Sequence, residues 1–140
     1  DHLLRGEYSA AAAQASRGND PESLAIKAFA MSRLGDRGGA KAAADSAAQA
    51  TAGQTGRARA LALIAQASVQ EQEGGDGNAV RDAYIAGARA DPTLVFGYSA
   101  LEDFYHRTGN VDQARKLLSV AADKANPQEK AVISSKLAHL

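Results

Sequence analysis

The chain has 140 residues, with 16 Lys plus Arg against 16 Asp plus Glu, and no Cys or Trp. Zero formal charge supplies no bulk attraction for nucleic acid and no polybasic segment for an anionic membrane. The lack of thiols excludes disulfides, thiolate zinc sites and thiol nucleophiles.

The length is that of one domain. The longest apolar stretches fall far below the ~20 residues needed to cross a bilayer, so direct membrane insertion is not expected. No signal-peptide pattern opens the chain, and Asp1 in place of Met reads as a processed product or an excised fragment. Roughly a quarter of the residues are Ala, the strongest helix former, and aromatics are few. No alternating β-branched run marks a strand, so the expected class is all-α with closely spaced helix axes.

Punctuation divides the chain into about eight helical stretches. An Ala-rich segment from Glu7 to Arg17 stops at Gly18-Asn19. Asp20-Pro21 then supplies an N-cap and a first-turn proline for a helix reaching Leu34. Gly35 to Gly39 breaks it, and a helix of small residues runs from Ala40 to Thr51. After Gly53-Gln54-Thr55-Gly56 comes a longer helix from Arg57 to Glu73, carrying Leu61, Leu63, Ile64 and Val69. Gly74 to Gly77 leads to a helix over Asn78–Ala90, closed by Asp91-Pro92. The next runs from Thr93 or Leu94 to Thr108, turns at Gly109-Asn110, and is followed by Val111–Lys124. Asn126-Pro127 introduces a last amphipathic helix from Gln128 to Leu140. Short connections between such helices favour antiparallel hairpins.

The hairpins repeat. Gly75 and Gly109 lie 34 apart, as do Ile64 and Tyr98, Ala67 and Leu101, and Tyr84 and Leu118. The preceding hairpin fits the same template at a spacing of 40, its extra residues falling in the Gly53–Arg57 connection. Helix–turn–helix units with a period of 34 resemble the tetratricopeptide repeat. The best single unit is Val95 to Pro127: Tyr98, Leu101 and Tyr105 take the large apolar positions of its first helix, and Gly109 the turn. Ala114, Leu118 and Ala121 take the small, large and small positions of its second helix. Gly6-Glu7-Tyr8-Ser9-Ala10-Ala11 is similar to the turn and second-helix start of a truncated unit. Lys27 stands for an expected Leu, Glu71 for an aromatic, and Ser68 and Glu102 for a small residue.

The resemblance implies one domain over 1–140: a partial repeat at 1–18, full repeats at 21–53, 58–92 and 94–127, and a capping or truncated-repeat helix at 128–140. It implies an α-α superhelix of stacked hairpins, with first helices lining a concave face.

Little in the chain suggests chemistry. His2, His106 and His139 share no metal-ligand spacing. The Gly74–Asn78 run lacks the Lys-Ser/Thr of a phosphate loop, and Gly87 stands where a calcium loop needs its bidentate Glu. Glu102–His106 and Asp103–Arg107 are i, i+4 pairs of the kind found on helix surfaces. No catalytic, metal or cofactor residues are assigned, and the chain reads as non-enzymatic.

Function is then expected in a surface. If the register holds, the inward positions are Ile26, Phe29 and Arg33 of the first unit, and Gln66, Val69 and Glu73 of the second. The third supplies Phe96, Ser99, Asp103, His106 and Arg107. Such a face, apolar at one end and charged at the other, suits a peptide or protein segment. Ile26, Phe29 and Phe96 equally fit as core between helices. Some members of the family grip a C-terminal carboxylate with Lys and Asn, and that clamp is missing here.

The alternative is a self-associating module of a larger complex, a homo-oligomer stacking through its ends. Leu3 and Leu4 would serve at one end, and Val132, Ile133, Leu137 and Leu140 at the other. Usage of Ala, Arg and Gly points to a high-GC bacterium, and zero Cys fits cytoplasm and periplasm alike.

Overall fold

Four of the eight helices among the described residues start on a side-chain cap. Asp20 accepts from the Ser23 N–H at 3.2 Å with Pro21 behind it, Asp36 accepts from Gly39 and Asp76 from Ala79. Asn126 and Glu129 form a reciprocal capping box around Pro127. A computed structural model describes residues 2–140, and among them the fold is all-α. The helices are α1 (Tyr8–Ala15), α2 (Pro21–Leu34), α3 (Arg37–Ala50), α4 (Arg57–Gln72), α5 (Gly77–Ala90), α6 (Val95–Arg107), α7 (Val111–Lys124) and α8 (Pro127–Ala138).

Helix ends differ from the sequence reading by one or two residues in several places, and by more at the start of α3. The run Gly35–Gly39 is not wholly a break, because α3 already begins at Arg37. Gly35 ends α2 at φ 93°, a left-handed conformation that favours glycine, and Asp36 immediately caps the next helix. Gly39 therefore sits inside the first turn of α3, where a Cβ would overlap the methyl of Met31 on α2.

The helices pack as α2–α3, α4–α5 and α6–α7 hairpins, with α1 against α2 and α8 against α7. Each second helix also meets the first helix of the following hairpin (α3 with α4, α5 with α6). The first helices meet in sequence, α2 with α4 and α4 with α6. This is a stacked, repeat-like helical architecture.

Small residues set the spacing of the stack. Ala25, Ala28, Ala40, Ala44, Ala47, Ala60 and Ala67 are all buried, around larger anchors such as Ile64, Tyr84, Leu118 and Ile133. Gly87 marks a close crossing of α4 and α5. A Cβ there would lie 2.6 Å from Ile64 Cγ1 and 3.3 Å from the Ile64 backbone nitrogen. In an open helix, Gly→Ala stabilises by about 1 kcal/mol. At Gly87 the sign is expected to reverse. Gly87→Ala should cost about 1–3 kcal/mol, the usual range for overpacking, as read by urea denaturation. A stabilised variant would refute this close α4–α5 approach.

Candidate interaction site

Two groups of side chains join the first helices, one apolar and one polar. The apolar group centres on Phe29 of α2 and Phe96 of α6. Their rings meet edge to face with centroids 5.1 Å apart, and Tyr8 lies 6.0 Å from Phe29. The edge-to-face arrangement sets the positive ring edge against a negative face. Two hairpins separated by α4 are thereby joined through aromatic side chains.

A cavity of ≈ 660 Å³ opens beside this group. Its apolar walls come from Ile26, Leu61, Leu94 and Phe96 on one side and from Leu3 and Leu4 on the other. Glu22 and Arg57, paired at 3.0 Å, stand at its rim, with Glu129 of α8 nearby. The cavity thus gathers the end of α1 (Ala11, Gln14, Ala15, with Arg17 after it), the N-terminal turns of α2, α4 and α8 and the residues that open α6.

The polar group lies toward the other ends of these helices and is built on Glu71 of α4. Arg107 of α6 grips this carboxylate with two bonds, Nε at 2.9 Å and Nη2 at 2.8 Å. Arg33 of α2 donates to it at 3.2 Å, and the Tyr84 hydroxyl of α5 donates at 2.9 Å. Arg33 also donates to Ser68 at 3.0 Å, and Ser68 shares a hydrogen bond of 2.6 Å with Ser32. Desolvation pushes the Glu71 carboxyl up, but the bonds from Arg107 and Tyr84 and the charge of Arg33 outweigh it. The group is held below the usual carboxylate range. Burial pushes the Tyr84 phenol up.

A second polar knot ties α6 to α8. Lys136 donates to Asp103 at 2.8 Å and to Glu102 at 3.4 Å. Glu102 is only 2% exposed. Burial, together with a bond and like charge from Asp103, pushes its carboxyl up to about 7 against the opposing pull of Lys136. The links among α2, α4, α6 and α8 join residues 33 to 38 apart in sequence, and Ser32–Ser68 at 36 does not keep the spacing of 40 read between the first two units.

The structure distributes the sequence-derived residues as follows. Ile26 lines the cavity, and Phe29 and Phe96 form the buried ring pair. Arg33 and Arg107 converge on Glu71, and Asp103 holds Lys136. Val69 and Ser99 are buried, and the Ser99 hydroxyl has no hydrogen-bond partner among the described residues. Gln66 turns to Asp45 of α3 at 3.3 Å. Glu73 and His106 are exposed. On α4, Arg57 reaches Glu22 of α2 at the start of the helix, and Ser68 and Glu71 near its end make the other hydrogen bonds to α2 and α6; none of these is Gln66, Val69 or Glu73.

Glu71, Tyr84 and Lys136 were absent from the expected set, although Glu71, Ser68 and Glu102 stood out as departures from the family's residue types. The expectation of Leu3 and Leu4 at an open apolar end is corrected. Both are buried, because the turn over residues 2–6 folds back and places them in the main apolar cluster. At the other end Ile133 is buried, Val132 and Leu140 are partly covered, and Leu137 is exposed.

Among the described residues, no helix is long and apolar enough to cross a membrane. No family model, curated protein or solved structure matches the chain.

Proposed function

We propose that the chain is a non-catalytic scaffold of the tetratricopeptide type. It binds a peptide segment of another protein in the concave groove between its first helices. The observation that carries this reading is the cavity bounded by Ile26, Leu61, Leu94 and Phe96, with the Glu22–Arg57 pair at its rim. A pocket whose apolar walls are interleaved with polar and charged groups (His2, Gln14, Arg17, Glu22, Ser23, Arg57 and Glu129) can anchor a side chain by burial and fix its register by polarity. Arg33, Glu71 and Arg107 are committed to one another, so they shape the groove and are not its free donors. The anchoring end is therefore the apolar one.

Ile26 offers the cleanest test, since it is only partly buried and lines the cavity. Peptides selected from a phage-displayed random library on the parent chain should lose about tenfold or more in affinity toward Ile26→Asp, by calorimetry. The variant should keep the parent's circular dichroism. Selected peptides that bind both chains equally would reject the groove.

A further inference from the structure

The wall of the cavity formed by Leu3 and Leu4 differs from the others. Residues 2–6 are a run of turns leading into α1, with Gly6 at φ 75°. Their backbone bonds are local: the Gly6 N–H donates to the Leu3 carbonyl at 3.1 Å and the Glu7 N–H to the His2 carbonyl at 2.8 Å. The His2 ring is likewise tied to Glu7, at 2.9 Å. Leu3 and Leu4 carry the apolar contact of this turn with the rest of the fold: Leu3 is 8% and Leu4 6% exposed, and both belong to the apolar cluster that contains Phe29 and Phe96. Two adjacent aliphatic side chains thus anchor the turn by burial. Such contact is non-directional and accepts any pair of similar size.

We propose that His2–Glu7 is a built-in strap that occupies part of the groove as a stand-in for its ligand. The external ligand is a partner segment presenting two adjacent leucine-like side chains on one tight turn, and it competes with the strap for the same seat. The inference rests on the groove reading above. It names the partner's chemistry from what the groove already holds. A covalently attached strap acts at an effective concentration in the millimolar range, so a free segment binds weakly until the strap is released.

The probe is an acetylated, fluorescein-labelled peptide of sequence His2–Glu7, followed by fluorescence anisotropy. It should bind the Leu3→Ser/Leu4→Ser variant about tenfold or more tightly than the parent chain. The same peptide with both leucines changed to serine should bind neither. Equal affinity for parent and variant, or no binding to a variant that keeps the parent's helicity, would overturn the strap. Should the double variant lose helicity, Leu4→Ala alone is the second test: a gain in peptide affinity over the parent supports the proposal, and no gain defeats it. The two readings fail separately. Library peptides sensitive to Ile26→Asp, together with a strap peptide that binds neither chain, would remove the strap and leave the groove. Library peptides insensitive to that change would remove the groove itself.

Discussion

Glu71→Ala is expected to cost the fold about 3 kcal/mol, the lower end of the range for stripping one partner from a buried ion pair. The carboxylate is the shared acceptor of three elements: α2 through Arg33, α5 through Tyr84 and α6 through Arg107. Its removal affects the three donors unequally. The Arg33 side chain is 9% exposed and keeps only its bond to Ser68. Tyr84 is 1% exposed, so its hydroxyl is left without an acceptor. Arg107 is more open and regains water, which places the total at the low end. Glu71→Gln keeps an oxygen for the buried donors and should cost less, about 1–2 kcal/mol. Urea denaturation at pH 7 measures both. A loss below about 1 kcal/mol for the alanine variant would mean that α2, α5 and α6 are not coupled through this group.

Against a net stability of about 5–15 kcal/mol for a domain, a loss of 3 kcal/mol is large. Acid should produce part of the same loss. The folded pKa of Glu71 is lowered, so its contribution is present above the ordinary value of 4.5 and disappears as pH falls through the folded value.

The helices were legible because their signals are local. Asp20-Pro21 writes a cap into two residues, and α2 starts there; Gly74–Gly77 and Asn126-Pro127 read as breaks, and α5 and α8 start within them on caps from Asp76 and Asn126. The Gly35–Gly39 run misled because a glycine can end one helix through its left-handed backbone or allow close approach at the start of the next. Only contact with Met31 separates the roles. The site was less legible. The stripe on α2 came out as Ile26, Phe29 and Arg33, since those positions follow from periodicity alone. The stripe on α4 did not, because its rotation depends on which neighbour Glu71 meets, and that is a long-range fact.

A signal was nonetheless present. Of the four residues that depart from the pattern of the family the sequence resembles, Ser68, Glu71 and Glu102 form polar links between helices, and Lys27 does not. A polar residue at a position meant for a small or aromatic one needs a partner once buried, and the repeat offers a place to look about 34 residues away. Arg33 and Phe29 look on the sequence like groove residues to mutate. Their contacts make them poor probes of binding, since either change would disturb the fold as well.

Glu102→Gln is expected to make the fold more stable at pH 8, by about 1–3 kcal/mol, and to leave it unchanged in acid. The ordinary carboxyl value is 4.5, and burial beside Asp103 pushes this one up to about 7. Below 4.5 both folded and unfolded chains carry the proton, and above 7 neither does. Between these limits the folded state holds a proton that the unfolded state has released, so stability falls as pH rises through the window. Glutamine is neutral throughout and escapes this loss.

Glu71 slopes the other way, so the measurement is the difference in unfolding free energy between parent and variant at pH 4, 5, 6, 7 and 8. That difference should start near zero, grow through the window and level off above 7. Parallel curves would show that Glu102 ionises in the folded state as readily as in water. The effect should be felt first at α8, whose buried anchor is Ile133 and whose Lys136 reaches back to Glu102 and Asp103. With Glu102 neutral, Lys136 still holds Asp103 at 2.8 Å. With Glu102 charged, two carboxylates share one ammonium in a poorly hydrated place. Amide exchange in α8 should therefore be faster at pH 8 than at pH 6 after correction for intrinsic rates, and Glu102→Gln should remove that excess.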